Sequence, residues 1–581
     1  MNCPWLIYGL GTLVLAVFLS GCESKENHGQ LMFEVLDSKR TGLEFSNDLT
    51  YTKDFNLFKY IYFYNGSGVG AGDFNNDGLT DLFFGSNQGQ NKLYLNKGNL
   101  QFEDITKDAG IPNDGGWSTG ISVIDINNDG LLDIYVCRVG QYEILHSKNQ
   151  LLINQGIDKN GVPSFIDKAH EYGLDFSGFS TQAAFFDYDN DGDPDLYLMN
   201  HSVYENGTLK PRDVFLGTYN QLSGDRIYRN DGNVFTDVTR QTGINSSAIG
   251  YGLGIAIADI NMDGYPDIYI GNDFHEDDYL YINQKNGTFK EEGRTRLMHS
   301  SQFSMGVDIA DINNDAAPEI ISADMLPSDP YILRRSLGED DYDVFNYKVN
   351  NGYTYQYART NFQVNKRNGK FSEAGLYSGI AATDWSWAPL WVDFDNDGLK
   401  DLFISNGIPK RMNDIDYINF LSNSEVQQKI LTNNMEGKDL ALINKFPENR
   451  LPNKFFKNAG NLSFINESSR IEGNKPAFSN GAVYADLDND GDLDFVVNNI
   501  DATALLYENK NNQSGHRSSI QIKLRGPEKN INAIGAKVIV YAGKEIRTYE
   551  KFPVRGFMSS METPLLIGLD KTKVDSILLV W

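Results

Sequence analysis

Short apolar runs separated by acidic loops dominate this 581-residue chain. ISVI before Asp125 and IYV after Asp133 are typical: brief, β-branched and aromatic, and so predicted strands. Between each such pair lies a nine-residue segment, Asp-x-(Asp/Asn)-x-Asp-Gly-x-x-Asp. Seven copies begin at Asp73, Asp125, Asp187, Asp259, Asp311, Asp393 and Asp486. A third run closes on an asparagine after every copy (Asn96, Asn154, Asn230, Asn283, Asn365, Asn458, Asn509), and after six of them a fourth opens on phenylalanine (Phe102, Phe165, Phe235, Phe289, Phe371, Phe464). Four strands per unit, repeating at roughly 50–90 residues, predict an all-β fold: a seven-bladed β-propeller with four-stranded blades.

The seventh unit lacks its phenylalanine run. FEVLDSKRTGL from Phe33 is like FEDITKDAGI from Phe102, so the N-terminal segment is expected to supply the missing outer strand and close the ring. Closure removes the open edges that invite aggregation. Five residues before the first Asp stands a small residue in six copies (Gly68, Gly120, Gly254, Gly306, Ala388, Gly481), Gln182 being the exception, as expected of crowded strands near an axis. The exits of the second strands lie opposite the acidic loops. They make Asn87, Arg138, His201, Asp273, His275, Asp324, Asn406 and Asn499 candidates for a ligand face. Three connections are long, at about 201–225, 325–360 and 408–452. The middle one carries Tyr342, Phe345, Tyr347, Tyr353, Tyr355 and Tyr357, followed by Trp385, Trp387 and Trp391; such rings either stack sugars or pack between blades. Residues 414–445 have helical composition and are expected to form a short cap.

Oxygen side chains at positions 1, 3, 5 and 9, with glycine at 6, suit a hard cation taking six to eight oxygens, Ca2+ before Mg2+. The predicted ligands are Asp73, Asn75, Asp77 and Asp81; Asp125, Asn127, Asp129 and Asp133; Asp187, Asp189, Asp191 and Asp195; and Asp259, Asn261, Asp263 and Asp267. The remaining loops offer Asp311, Asn313, Asp315 and Glu319; Asp393, Asp395, Asp397 and Asp401; and Asp486, Asp488, Asp490 and Asp494. A plain polar turn explains any one copy, but seven in register argue for Ca2+ at up to seven sites. In the fifth, Ala316 replaces the glycine and Glu319 the last Asp, which predicts a weak or empty site. These positions hold 24 carboxylates beside a formal net charge of −27, so the acidity is largely stored in the loops. Bound Ca2+ would reverse their repulsion and tie stability to calcium. No basic footprint points to nucleic acid.

Residues 1–21 form a short apolar stretch ending in Leu19-Ser20-Gly21 before Cys22, the pattern of a bacterial lipoprotein signal, although it lacks an early Lys or Arg. Cys22 is then the expected lipidation site and 22–30 a tether, so membrane contact is through the lipid anchor only. With Cys3 removed and Cys22 modified, Cys137 stands alone and no intramolecular disulfide is expected. These features predict an exported lipoprotein at the outer membrane or surface of a Gram-negative bacterium, with the periplasmic face as the alternative. The propeller is expected over 31–512. Beyond it, SIQIKLRG, GAKVIVYAG, KEIRTYEKF and SILLVW predict a small β-sandwich-like domain over 513–581, expected to be incomplete because it ends on an apolar run.

The Asp-x-Asp-x-Asp-Gly loops between strands resemble the FG-GAP/VCBS repeats of integrin α-chain propellers. IGAKVIVYAG at 534–543, then Arg555-Gly556-Phe557 and LLIGL at 565–569, resemble the ASPIC/UnbV domain. Together they are similar to the cartilage acidic protein family and its bacterial lipoprotein relatives. The resemblance implies a calcium-binding propeller with adhesion or ligand-binding duties at the cell envelope, and supplies no catalytic residues. The leading expectation is therefore a binding protein for a glycan or an envelope or extracellular protein. The alternative is a calcium-dependent polysaccharide lyase or hydrolase using His201 and the Asp273–His275–Glu276 cluster; a third is docking within an uptake or secretion complex. No nucleophile elbow, zinc motif, P-loop or dinucleotide fingerprint is present.

Overall fold

Each acidic loop turns the chain back on itself, so its flanking runs pair as antiparallel neighbours. In the first blade, Val69–Gly72 pairs with Asp81–Phe84, which pairs with Lys92–Asn96 and then with Phe102–Asp104. The computed structural model describes residues 31–581 except 204–208, 233, 433–439, 441–442, 513–517 and 571; the predicted signal, Cys22 and tether lie outside the described residues. Among those described, seven sheets repeat this four-strand order. Their inner strands, Val69–Gly72, Trp117–Ile124, Ser180–Phe186, Gly252–Ala258, Val307–Ala310, Ser386–Val392 and Ser479–Ala485, touch in succession, and the last meets the first. This is a closed β-propeller.

The closure is the one expected from the repeat. Phe33–Val35 forms the outer strand of the last blade, Phe33 facing Asn509 just as Phe102 faces Asn96. Phe33 is fully buried among the rings of Phe394, Phe455 and Phe495, at 5.0–5.8 Å. Burial of one such side chain contributes about 1.5–3 kcal/mol.

Six of the asparagines that end the third strands link neighbouring blades. Asn96 Nδ2 donates to Leu487 O at 2.7 Å, Asn154 to Phe74 O at 2.9 Å, Asn283 to Tyr188 O at 2.8 Å and Asn365 to Ile260 O at 3.0 Å. Asn458 and Asn509 reach Ile312 O and Phe394 O in the same way. In each case the acceptor is position 2 of the preceding acidic loop. A second circuit runs from the asparagine at position 4: Asn76, Asn314, Asn396 and Asn489 each donate to the position-6 carbonyl of the next loop, as Asn76 does to Gly130.

Beyond the last blade, Ser518–Ile522 pairs with Leu565–Asp570, and Lys537–Ala542 lies between Glu545–Glu550 and Ser576–Val580. Val538, Val540, Tyr549 and Ile567 form the centre of this small β domain. It lies on the acidic-loop face. Asn532 Oδ1 accepts from Asp125 N, the Glu550 carboxylate from Asp259 N, and Asp311 from Thr548 N; Asp570 N donates to Asn396 O, and Ser519 Oγ to Gly491 O.

From this domain a hairpin, Val554–Arg555 and Ser559–Glu562, descends the propeller axis. Its returning strand adds to the first blade, parallel to Val69–Gly72. Ser559 Oγ accepts from Val69 N and Ser560 Oγ from Val123 N, both at 3.1 Å, and Met558 O accepts from Ile121 N at 2.9 Å. The ring of small residues therefore has a second cause besides blade crowding. A Cβ on Gly68 would stand 1.6 Å from Met558 O, and one on Gly306 2.7 Å from Gly556 O. Gln182, the exception, donates from Nε2 to Ser559 O at 3.3 Å, so its long side chain reaches the hairpin.

Candidate metal loops and the face opposite them

In the acidic loops, backbone amides hold the oxygens of positions 1 and 5. In the first, Asp73 Oδ1 and Oδ2 accept from Asp77 N and Gly78 N, both at 3.0 Å, and Asp77 Oδ1 accepts from Leu79 N at 2.9 Å. The expected glycine turn is present, with φ of 87° at Gly78 and 88–97° in the other five glycine-bearing loops. Position 4 is also left-handed (Asn76, φ 55°), a conformation asparagine tolerates. The carboxylate at position 9 is deeply buried: Asp81 accepts from Phe74 N at 3.0 Å and Asn96 N at 2.8 Å.

Three loops bring carboxylate oxygens within 4.8 Å of one another: Asp187, Asp189 and Asp195; Asp393, Asp395 and Asp401; Asp486, Asp488 and Asp490. Like charges at that distance repel by about 3–4 kcal/mol per pair at an effective dielectric of about 20. Burial first, and neighbouring carboxylates after it, push Asp187 and Asp486 up to about 6, Asp393 to about 7 and Asp195 to about 9. The oxygens Asp189 Oδ1 and Asp488 Oδ1, both at position 3, are buried without a hydrogen-bond donor. Orphaned buried carboxylate oxygens at a predicted ligand position fit a hard cation. In the four loops with Asn at position 3, three asparagines (Asn75, Asn127, Asn261) donate from Nδ2 to the Asp at position 5, closing the loop on itself.

Several loops carry an ammonium: in the third Lys529 lies 3.0 Å from Asp193, and in the fourth Lys285 and Lys537 lie 3.3 and 3.6 Å from Asp263 and Asp259. Lys457 lies on Asp395 and on Asp397, the latter at 2.9 Å, so a cation there must share or displace it. In the divergent fifth loop Ala316 adopts φ 69°, at a cost of about 1–2 kcal/mol. Asp311 Oδ2 accepts from Thr548 N and Oγ1 at 3.2 and 3.1 Å, while buried Lys400 donates to Asp311 O at 2.7 Å and to Thr548 O at 3.2 Å. In this loop Asp311 fastens the small β domain. Asp311→Asn is expected to lower the melting temperature equally in EDTA and in calcium, whereas Asp393→Asn lowers it chiefly in calcium. Paired melts of both variants check this, and a purely calcium-dependent loss at Asp311 would overturn it.

The ligand-face candidates are where the second strands end, but most are interior, which corrects the expectation that they form a binding surface. Residues 50–65 lie over His201 and Asp273. His201 bonds Tyr60 Oη at 2.9 Å and Thr181 Oγ1 at 3.0 Å, and burial pushes it down to about 3. Arg138 pairs with Asp114 at 2.7 Å. Asp273 accepts from Tyr62 Oη at 3.2 Å and Asp324 from Phe303 N at 3.1 Å. Asn406 N donates to Asn453 Oδ1, Asn499 Nδ2 to Thr503 O, and Asn87 Nδ2 to Gly66 O and Ser118 O. His275, half-buried, packs against Tyr251 and Tyr353, and burial, then Lys348, pushes it down to about 4. Glu276 is buried and bonded by Arg212 Nη2 at 2.8 Å.

The rings of the long connection divide. Tyr353, Trp385, Trp387 and Trp391 are buried, Trp391 against Phe362 and Phe464. Tyr342, Tyr347 and Tyr355 are exposed, at 80, 39 and 51 %. Tyr342–Asn350 is a helix capped by Asp341, whose carboxylate accepts from Asp343 N and Val344 N, and Phe345 stacks on Tyr355 at 5.9 Å and 14°. The expected helical cap is present as Ile415–Leu421 and Ser424–Leu431.

A closed propeller with acidic strand–loop–strand repeats and a small β domain seated on its loops defines the class, and the comparisons agree. The chain carries FG-GAP-like repeats, matched at 73–136, 212–270 and 259–322, and an ASPIC and UnbV domain, matched at 526–581. Cartilage acidic protein 1 of Xenopus tropicalis, which has the same domain architecture, is 25% identical over 210 residues, covering 36% of this chain and 29% of that relative's length. A solved Agrocybe aegerita lectin, described for specific recognition of non-reducing terminal N-acetylglucosamine, is 13% identical with a TM-score of 0.35, over 71% of this chain and 82% of that one. The Photorhabdus luminescens Tc holotoxin pore is 14% identical with a TM-score of 0.28, over 65% of this chain and 14% of that one.

Proposed function

We propose that this chain is a calcium-stapled, lipid-anchored recognition propeller of the cell envelope that binds glycan on the face opposite its acidic loops. One observation carries the choice of face: the small β domain sits on the acidic loops and its hairpin fills the axis beneath them. The opposite face presents Tyr342 and the stacked pair Phe345–Tyr355. Flat, exposed rings with polar edges suit the apolar faces of sugar rings. Calcium would be held by the four side chains of each regular loop, supplying the positive charge that lets buried carboxylates stay ionised. Acyl chains at Cys22 would hold the propeller to a membrane. The lyase or hydrolase reading draws less support, because both ring nitrogens of His201 are engaged and Glu276 is locked to Arg212.

A glycan array probed with calcium-loaded residues 23–581 tests this reading. Specific glycan hits are expected, with Tyr355→Ala weakening them about ten-fold, the equivalent of about 1.4 kcal/mol. Hits that ignore Tyr355→Ala would move the site elsewhere. An empty array with protein recovered by pull-down from native envelope would replace glycan by a protein ligand.

A further inference from the structure

One place in the third strands varies in step with the acidic loops. Just before the asparagine that ends each strand stands Leu95, Ile153, Ile282 or Val364 wherever position 3 of the blade's loop is Asn. Where position 3 is Asp, in the third, sixth and seventh loops, the same place holds a charged residue: Arg229, Lys457 or Glu508.

The three charges are used differently. Lys457 bridges two ligand positions of its own loop, Asp395 at position 3 and Asp397 at position 5, the latter at 2.9 Å. Arg229 instead donates to Asp231, at 2.8 and 3.2 Å. Glu508 is paired by Lys510 at 2.6 Å, and Lys510 also reaches Glu34 at 3.0 Å. Among the described residues, no ammonium or guanidinium pairs with the four ligand positions of the third and seventh loops; Lys529 reaches the third only at Asp193, position 7. In the fourth loop Lys285 and Lys537 each touch a single ligand carboxylate, and Lys537 lies closer to Glu550, at 2.8 Å. Lys457 is therefore set apart by spanning two ligand carboxylates of one loop.

Charge decides what this does. The ligand side chains of an all-aspartate loop carry four negative charges, and those of an asparagine loop with Asp at position 9 carry three. Lys457 brings the sixth loop back to three. Oxygen-ligand loops tune their Ca2+ affinity by charge count and rigidity, and an ion entering the sixth loop must also move an ammonium already seated on two of its ligands. We propose that Lys457 is the resident counter-ion of the sixth loop: it holds Asp395 and Asp397 while calcium is scarce and yields them when calcium is plentiful. It thereby makes this loop the weakest of the three all-aspartate sites, filled after the third and the seventh. This inference rests on the calcium reading of the loops.

The test pairs equilibrium dialysis against calcium with melting, on residues 23–581. Lys457→Met keeps the stem and removes the charge, so one step of the binding isotherm should move to about ten-fold lower free calcium. Adding Asp395→Asn should reverse that move, which assigns the step to the sixth loop. Lys457→Arg, which keeps the charge, should bind as wild type does, and so should Arg229→Met, because that guanidinium is engaged by Asp231. In melts, Lys457→Met should fall below wild type in EDTA and recover in calcium, the reversal expected of an ammonium that stands in for the ion. If wild type binds calcium and the Lys457→Met isotherm superimposes on it, the proposal is overturned and the calcium reading stands. An equal loss in EDTA and in calcium would also overturn it, leaving Lys457 a plain structural ion pair. Wild-type protein that binds no calcium at all would remove the calcium reading and this inference together.

Discussion

Chelating calcium from residues 23–581 is expected to lower the melting temperature by about 4–11 °C relative to about 2 mM calcium. The size follows from mass action. Extracellular calcium modules bind at about 0.1–1 mM, so about 2 mM calcium contributes about 0.6–1.8 kcal/mol per site. Six regular loops then contribute about 4–11 kcal/mol, against an unfolding entropy of about 1 kcal/mol/K for about 480 residues. The physical basis is the clustered carboxylates. Without a cation, Asp187, Asp189 and Asp195 must repel or take up protons; with one, all can ionise and the orphaned Asp189 Oδ1 gains a partner. The loops also carry the two asparagine circuits that join blade to blade, so a loop that loosens loosens its neighbours. Calorimetry in EDTA, in calcium and in magnesium decides. Magnesium should give the smaller shift, because it dehydrates reluctantly and demands stricter geometry. Identical melts in EDTA and calcium would end the metal reading of these loops.

The ring, its strands and its closure were legible because each is a local pattern repeated seven times. One period fixes the strand ends, and the misplaced Phe33 run is recognisable only against six others like it. The glycine turn was equally legible, since φ near 90° admits little else. Some of what was missed also had a signal. Asparagine recurs at position 4 in six copies, with Met262 the exception, and this marks the left-handed turn and the link to the next loop. What lay beyond the sequence is long-range. Nothing local in Arg555-Gly556-Phe557 says that it fills a propeller axis more than 200 residues away in sequence from Asp308. The ligand-face candidates failed for a similar reason. Their position in the repeat was right, but the lid of residues 50–65 belongs to no repeat, and its rings cover His201 and Asp273.

That axial hairpin carries the second large expectation: Phe557→Ala in the calcium-loaded protein should cost about 3–5 kcal/mol. Phe557 is fully buried on Trp387, in a channel whose walls have already been reduced to glycine to admit it, so little can collapse into the space left behind. Arg555 adds a charge pair. Its Nη1 donates to Asp308 Oδ1 at 2.9 Å, and Asp308, buried in the inner strand of the fifth blade, also accepts from Trp391 N at 2.7 Å. Burial pushes the Asp308 carboxyl up and the guanidinium opposes that shift. Arg555→Met would leave a buried carboxylate without its partner, a loss of about 3–5 kcal/mol, while Arg555→Met with Asp308→Asn should recover part of it. The readout that separates docking from folding is the number of transitions. Wild-type protein should melt once, because the hairpin is both a strand of the first blade and the anchor of the small domain. Phe557→Ala should split off an earlier transition for residues 518–581 while the later one keeps its calcium response. If that variant still melts once at the wild-type temperature, the hairpin only occupies the axis, and the contacts of Asn532, Thr548 and Glu550 with the acidic loops are what hold the two domains together.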